Sequence, residues 1–480
     1  MPVSAAFRPD PLFMALGAEF ADPVRPADFP RAELRFRNQP AAASVGLDGL
    51  DEAEWIAAFA RFEALPDNQP QPLAMRYHGH QFRIYNAELG DGRGFLFAQL
   101  REAGSGRLLD LATKGSGRTP WSRGGDGRLT LKGAVREVLA AEMLQALGVP
   151  TSRAFSVIET GESLFRHDEP SPSRSAVLTR LSHSHIRIGS FQRHAYEERP
   201  DNLARLVDHA AEAYYPHLLA LDGPARAAGL LAAAAQALAR LTGAWTAAGF
   251  VHGVLNTDNL NITGESFDYG PYRFLPRYDL AFIAAYFDET GLYAFGRQAD
   301  QVFWSLQQLA ASLAPVGEQA GLVEALKGFG PAYRQALTGA FLARLGLRSR
   351  GLEDDGALVR LCLDALEAGG EALRWEPFFF DWFCGAASQA RALIGPRAAL
   401  YEGEAFGALR SAFEDYEAER PERLAHAYFA QAEPEELLYG AIEALWAPIA
   451  EHDDWTAFHA KVAAIRRAGE AWGLTAPTAE

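Results

Sequence analysis

The segment His252-Gly253-Val254-Leu255-Asn256-Thr257-Asp258-Asn259 sets a carboxylate beside an amide, and Asp268-Tyr269-Gly270 follows, with Asp268 nine residues after Asn259. An Asn and an Asp at this interval supply hard oxygen ligands that can hold a divalent cation against a polyphosphate, as kinases do. In a kinase catalytic loop the base aspartate stands five residues before the metal-binding asparagine; here that position is Val254. The usual phosphotransfer base is therefore missing, and Asp258 is the nearby carboxylate that could replace it. The plainer alternative is a turn rich in Asn and Asp, against which the downstream Asp268 weighs.

Lys114 closes the apolar run LLDLATK, and Glu137 lies in GAVREVLAAEML, a segment of helical periodicity. A strand lysine held by a helix glutamate is how kinases grip the phosphates of ATP. A loop lysine and a solvated helix glutamate are the alternative, and the order of elements favours the first reading. Three glycine-rich stretches accompany the pair: Gly90-Asp91-Gly92-Arg93, Lys114-Gly115-Ser116-Gly117 and Gly125-Asp126-Gly127-Arg128. Glycine lets backbone N–H groups approach phosphate oxygens, and arginine adds bidentate charge-assisted bonds. Taken singly, each Asp-Gly pair is also an ordinary hairpin turn. Arg180 and Arg187 flank LSHSHI and could both point into one cleft, with surface salt bridges as the competing use. Two such cations imply more anionic charge than an ordinary kinase cleft handles. His78 and His80 in RYHGHQF could pair on one strand face, but no third ligand is close in sequence, which favours a structural use.

These residues require strands first and helices after. Short β-prone runs broken by glycine from Met75 to Lys114 predict hairpins. Leu129 to Leu147 has helical spacing and stops at Gly148-Val149-Pro150. Val157-Ile158 and Ala176 to Arg180 predict further strands on either side of the polar turn HDEPSPSRS. Pro224 to Ala248 reads as a long helix ended by Gly249, immediately before the His252 segment. Helices are also expected over Asp51–Leu65, Asp300–Leu313, Leu322–Leu345, Ala357–Ala368 and Glu436–Ile449. The expected fold class is α+β: a protein-kinase-like bilobal fold with a small β-rich N-lobe, a large helical C-lobe and extra helical segments at both ends. Its expected parts are an N-terminal arm packed on the body (1–74), the N-lobe (75–200), the catalytic C-lobe (201–320) and a helical C-terminal extension (321–480).

Composition sets the outer bounds. The 480 residues are 49% hydrophobic and 22% charged, which excludes a disordered, collagenous or disulfide-stapled chain. A formal charge of −16 opposes nucleic acid and anionic lipid, so neither a nucleic-acid nor a membrane partner is expected. Cys362 and Cys384 are the two cysteines, each in an apolar helix-like stretch, and a structural role is expected for both. The N-terminal residues show no signal-peptide, anchor or transit pattern, so the cytoplasm is the expected location.

At these motifs the sequence resembles the selenoprotein O family, the YdiU-type proteins. RYHGHQF, LGDGR, KGSGRTPWSRGGDGR, the REVLAAEML helix, SHIRIGSF, HGVLNTDN and DYGPY occur in the family order over about residues 75–310. The resemblance implies a kinase-fold protein adenylyltransferase that binds ATP in a flipped orientation. It would transfer AMP to Ser, Thr or Tyr hydroxyls of proteins, itself among them, and release pyrophosphate. It places Lys114 with Glu137 in the nucleotide site and lines that site with Gly90, Gly92, Arg93, Asp126, Gly127, Arg180 and Arg187. Asn259 and Asp268 would hold Mg2+ or Mn2+, Asp268 facing the nucleotide as well, and Asp258 would accept the proton. A non-catalytic ATP-binding pseudokinase remains open, although it would have little need for Asp258, Asn259 and Asp268 together. An ordinary kinase also remains, and Val254 argues against it. Arg83 stands where the family usually has glycine, Glu88 where glutamine is usual, and the tail LTAPTAE lacks the family's terminal selenocysteine or cysteine.

Overall fold

The run Leu108–Lys114 is buried along its whole length, as a strand must be when both faces of its sheet are covered. It lies at the centre of an antiparallel sheet in the computed structural model, which describes residues 3–166 and 169–474. The strands in chain order begin with β1 (Ala21–Pro23), β2 (Glu33–Arg37), β3 (Leu73–Met75), β4 (Gly79–Gln81), β5 (Ile84–Asn86) and β6 (Leu96–Arg101). They continue with β7 (Leu108–Lys114), β8 (Leu129–Thr130), β9 (Arg153–Leu164), β10 (Ser173–Ser182), β11 (Phe250–Val251) and β12 (Arg273–Phe274). The large sheet runs β1-β3-β6-β7-β10-β9-β2, with β8 pairing to β10, while β4–β5 and β11–β12 form separate two-stranded ribbons.

Register decides which side chains meet. Lys114 is opposite Leu178 and Ala112 opposite Arg180, so the two-residue period puts Lys114 and Arg180 on the same face. That face is covered by the helix Leu131–Ala146, whose Val135, Val138 and Leu139 pack with Leu178 and Val157. Thr130 starts this helix by accepting a bond from the Gly133 N–H at 3.1 Å. The opposite face carries Leu109, Leu111 and Val177 and is closed by Trp55, Phe59 and Phe62.

The residues expected as an arm are woven into the sheet, since β1 and β2 form its two edges. Such short strands gain their pairing from distant partners, and three to five residues show little alternation of their own. The helix expected over Asp51–Leu65 is shorter, Glu52–Phe59, because the chain turns at Phe62 with φ 58°. The helix expected over Leu322–Leu345 is broken at Gly328 into Gln319–Lys327 and Phe329–Leu345. The long helix is Gly223–Ala247, capped by Asp222. It is long and apolar enough to cross a bilayer, but 67% of its apolar window is buried inside the protein, so core packing accounts for its composition. It delivers the chain through β11 into the His252 segment. The last helix, Thr456–Trp472, returns to the Leu131–Ala146 helix, where Arg466 grips Glu142 through two bonds of 2.7 and 2.6 Å.

Two glycine-rich loops cross beside β7. Gly127 has φ +71°, and a Cβ there would lie 2.2 Å from the Gly117 carbonyl oxygen, to which its own loop is tied by the Gly117 N–H bond to Gly127 O at 3.1 Å. Gly124 has φ +80° with open space around it. Gly124→Ala should therefore cost only the left-handed backbone, about 1–2 kcal/mol. Gly127→Ala should cost about 1–3 kcal/mol more through the clash. Urea unfolding of the two variants measures the difference, and equal losses would contradict the close approach of the loops.

Candidate active site

The Lys114 ammonium, at the end of β7, reaches both Glu137 on the Leu131–Ala146 helix and Asp268 at 2.5 Å. Arg180 on β10 adds contacts of 3.3 Å to Asp268 and 3.7 Å to Glu137. Arg187 comes from the following loop, 3.8 Å from Asp268, with bonds of 3.0 Å to Asp91 and 2.8 Å to the Asp258 carbonyl oxygen. Lys114, Arg180 and Arg187 are all at most 6% exposed. Burial alone would raise the Asp268 carboxyl, but Lys114, Arg180 and Arg187 together hold it well below the usual carboxylate range. Asp268 takes a left-handed backbone, φ 64°, which aspartate tolerates better than most residues.

The Asp258 loop is braced from two sides. His252 Nε2 donates to Phe267 O at 3.1 Å, joining the loop to the segment that carries Asp268. From the β4–β5 hairpin the His80 N–H donates to Thr257 Oγ1 at 2.7 Å and the Phe82 N–H to Asn256 Oδ1 at 3.2 Å. A Cβ on Gly79 would stand 3.0 Å from Thr257 Oγ1 and 3.3 Å from the Asp258 Cβ, so glycine lets the hairpin lie over the loop. His78 and His80 serve this hairpin, bonded to Tyr85 and Gln192 at 2.8 Å each. Asp258 is 8% exposed, and its Oδ1 is buried with no hydrogen-bond partner.

Of the residues singled out from sequence, Gly90, Gly92, Arg93, Lys114, Asp126, Gly127, Arg180, Arg187, Asp258 and Asp268 line one cleft of about 790 Å³. Glu137 stands behind Lys114 and lines an adjoining groove. Asn259 is not on the cleft wall; its Nδ2 donates to Val254 O at 2.9 Å, so its amide oxygen is the end left for a ligand. Eight cationic side chains and four carboxylates line the cleft, the reverse of the chain's overall balance of −16. Sequence reasoning gave no role to Asp91, Arg118, Arg123 and Trp121, although each stands in a stretch it singled out. The signal was present as arginines spaced through KGSGRTPWSRGGDGR. Trp121 supports the loop from below: its Nε1 donates to Asp22 at 2.9 Å, and a Cβ on Gly90 would fall 2.4 Å from its ring.

The model of the family "Protein adenylyltransferase SelO" matches residues 4–466. The chain belongs to the SelO family. A protein nucleotidyltransferase YdiU of Synechococcus elongatus is 42% identical, the match covering 98% of this chain and 97% of that protein. YdiU proteins of Synechocystis and Gloeobacter violaceus are each 43% identical over 94% and 95% of this chain and 96% and 95% of their own lengths. This SelO-family chain is thus an enzyme, a protein nucleotidyltransferase.

The departure at Arg83 gains a physical meaning. Phe82 and Arg83 are the turn between β4 and β5, with φ of 50° and 64°, the type I′ geometry that favours glycine second. Here Arg83 donates to Gln301 at 3.2 Å and lies 5.2 Å from the Trp304 ring centroid. Cys362 and Cys384 are buried free thiols, and burial pushes Cys384 up to about 11. The tail after Leu474, with its missing cysteine, lies outside the described residues. Among the described residues no trio of His, Cys, Asp or Glu forms a metal cluster. The oxygen donors of Asn259 and Asp268 suit a hard divalent ion that draws its remaining ligands from phosphate and water, and the Asn259 amide oxygen, left over by the Nδ2 bond to Val254, fits that use.

Burial pushes the Asp258 carboxyl up to about 6, with Arg187 pulling the other way. The folded state therefore resists its ionisation, a penalty absent while the group is protonated and complete above the folded pKa. Without nucleotide or divalent ion, Asp258→Asn should stabilise the protein by about 2–3 kcal/mol near pH 8, the gain fading to zero near pH 4. Urea unfolding across that range checks it; a gain independent of pH would refute the burial penalty.

Proposed function

We propose that this nucleotidyltransferase moves AMP from ATP to Ser, Thr or Tyr hydroxyls of proteins, itself included, releasing pyrophosphate in the cytoplasm. The observation that carries the reading is a buried carboxylate with an unpartnered oxygen, Asp258, facing the same cleft as three buried cations. The family match supports nucleotidyl transfer, and the sheet joined to a helical body supports a kinase-like two-lobed arrangement.

In this reading the terminal phosphates lie toward Lys114, Arg180 and Arg187, and the α-phosphorus faces Asp258. The acceptor hydroxyl gives its proton to the Asp258 carboxylate as its oxygen bonds to the α-phosphorus. The bond from that phosphorus to the bridging oxygen breaks, and pyrophosphate leaves toward the cations, whose fixed charge favours the transition state. Raised by burial, Asp258 is a better proton acceptor than an exposed carboxylate while still ionised at neutral pH. Asn259 and Asp268 would hold Mg2+ or Mn2+, which supplies further charge neutralisation when bound. Val254, at the kinase base position, offers only its carbonyl, already taken by Asn259.

ATP labelled at the α-phosphorus should transfer label to protein, and ATP labelled at the γ-phosphorus should not. Asp258→Ala should lower turnover roughly 100- to 10,000-fold. Arg180→Ala should raise the barrier by about 3 kcal/mol. Label from the γ-position on protein, with ADP as product, would overturn the proposal in favour of a kinase.

A further inference from the structure

We propose that a second groove, of about 360 Å³ and opening beside Lys114, receives the acceptor polypeptide and selects an acidic segment with an aromatic residue near its hydroxyl. This rests on the adenylyl-transfer reading above. The groove shares Arg93 and Lys114 with the nucleotide cleft, so a chain lying in it ends beside the reacting phosphates. One wall is the start of the Leu131–Ala146 helix; others are formed by Gly270–Arg273, by Tyr286 and Phe287, and by Tyr439.

Two properties define the occupant. The first is apolar. Tyr286 is 76% exposed and Phe287 45%, their rings edge to face at 5.2 Å. Exposed neighbouring aromatics are an unfavourable use of surface unless a partner covers them. Phe287 also meets Phe82 at 6.0 Å, and the Phe82 N–H is bonded to Asn256 and Tyr293, so the platform rests on the same hairpin that braces Asp258.

The second property is charge. Arg93, Arg136 and Arg273 have no carboxylate partner among the described residues. The groove's acids are committed: Glu137 to Lys114, Glu443 to Lys132 at 2.7 Å, and Glu169 also has a partner. Arg273 lies over the Tyr439 ring, 4.5 Å from its centroid, while Arg136 stands between that ring at 5.8 Å and Tyr272 at 4.8 Å, its Nη2 donating to the Gly270 and Tyr272 carbonyls at 3.3 and 3.2 Å and its remaining N–H groups uncommitted. Cations held over an aromatic face keep their outward N–H groups for an anionic ligand. A nucleoside could stack on such rings, but it carries no anion for Arg136 and Arg273. The open stance of Tyr286 suits a chain crossing the surface better than a base enclosed on both faces. A polypeptide with Glu or Asp flanking its hydroxyl residue meets both demands.

The test uses the full chain, α-labelled ATP and two synthetic peptides of equal length. Each has one Ser and one Phe, one flanked by Glu and the other by Lys. The acidic peptide should be labelled with kcat/KM at least roughly tenfold higher. Arg273→Glu should reverse that preference, and Tyr286→Ala should raise KM for the acidic peptide while leaving kcat, KM for ATP and thermal unfolding unchanged. Arg136→Gln gives a second variant, which removes the charge together with the bonds to the Gly270 and Tyr272 carbonyls, and is expected to weaken the same preference with KM for ATP and thermal unfolding measured beside it. Equal labelling of both peptides would overturn the proposal. So would a raised KM for ATP in Tyr286→Ala, which would make the groove part of the nucleotide site. Pyrophosphate release with neither peptide labelled would overturn the docking site and leave adenylyl transfer standing, whereas γ-label on protein would remove the transfer reading itself.

Discussion

A carboxylate set in a largely buried cleft stays ionised when cations surround it, and Asp268, half-buried, meets that condition with Lys114, Arg180 and Arg187. The requirement runs in both directions. These cations are more deeply buried than the acid, and each would be left uncompensated if its partners moved. Sheet register, helix placement and the loop after β10 all have to agree within a few ångströms for the group to exist. It also changes what nucleotide binding means. On the proposed reading, phosphate oxygens would not enter a field of idle positive charge but would exchange with carboxylates already in contact, so affinity would be the difference between two sets of charge-assisted bonds.

The strand side and the helical side of the molecule meet at the Asp258 loop. His80 and Phe82 hold it through backbone N–H groups, which do not depend on side-chain identity, while Gly79 supplies the clearance. A small ribbon outside the main sheet therefore fixes the geometry of a loop 174 to 177 residues further along the chain. The last helix does comparable work from behind, its Arg466 fastening the Leu131–Ala146 helix that carries Glu137.

Much of the site was legible in the sequence because its chemistry depends on residue type at short range. Lys114 closes a buried strand, Glu137 sits on the helix facing it, and Asp258 and Asp268 lie in segments rich in turn residues. What could not be read were partners set by the tertiary fold. Asp91 pairs with Arg187 across the cleft, and Trp121 earns its place only when Gly90 lies on its ring. The edge strands β1 and β2 were missed for the same reason, being too short to announce themselves without the neighbours they pair with. The unbroken helix expected across Gly328 failed because apolar spacing continues through a glycine even where the backbone does not.

The turn at Phe82-Arg83 shows side chains holding a strained backbone in place. A left-handed position is tolerant of glycine and hostile to almost everything larger, yet here an arginine occupies it under the hydrogen bond to Gln301 and the ring of Trp304. The contacts with Gln301 and Trp304 are what this chain has to set against the strain of a side chain at position 83. Arg83, Gln301 and Trp304 thus form one three-residue unit in which two side chains from another part of the chain offset the strain of a single backbone position.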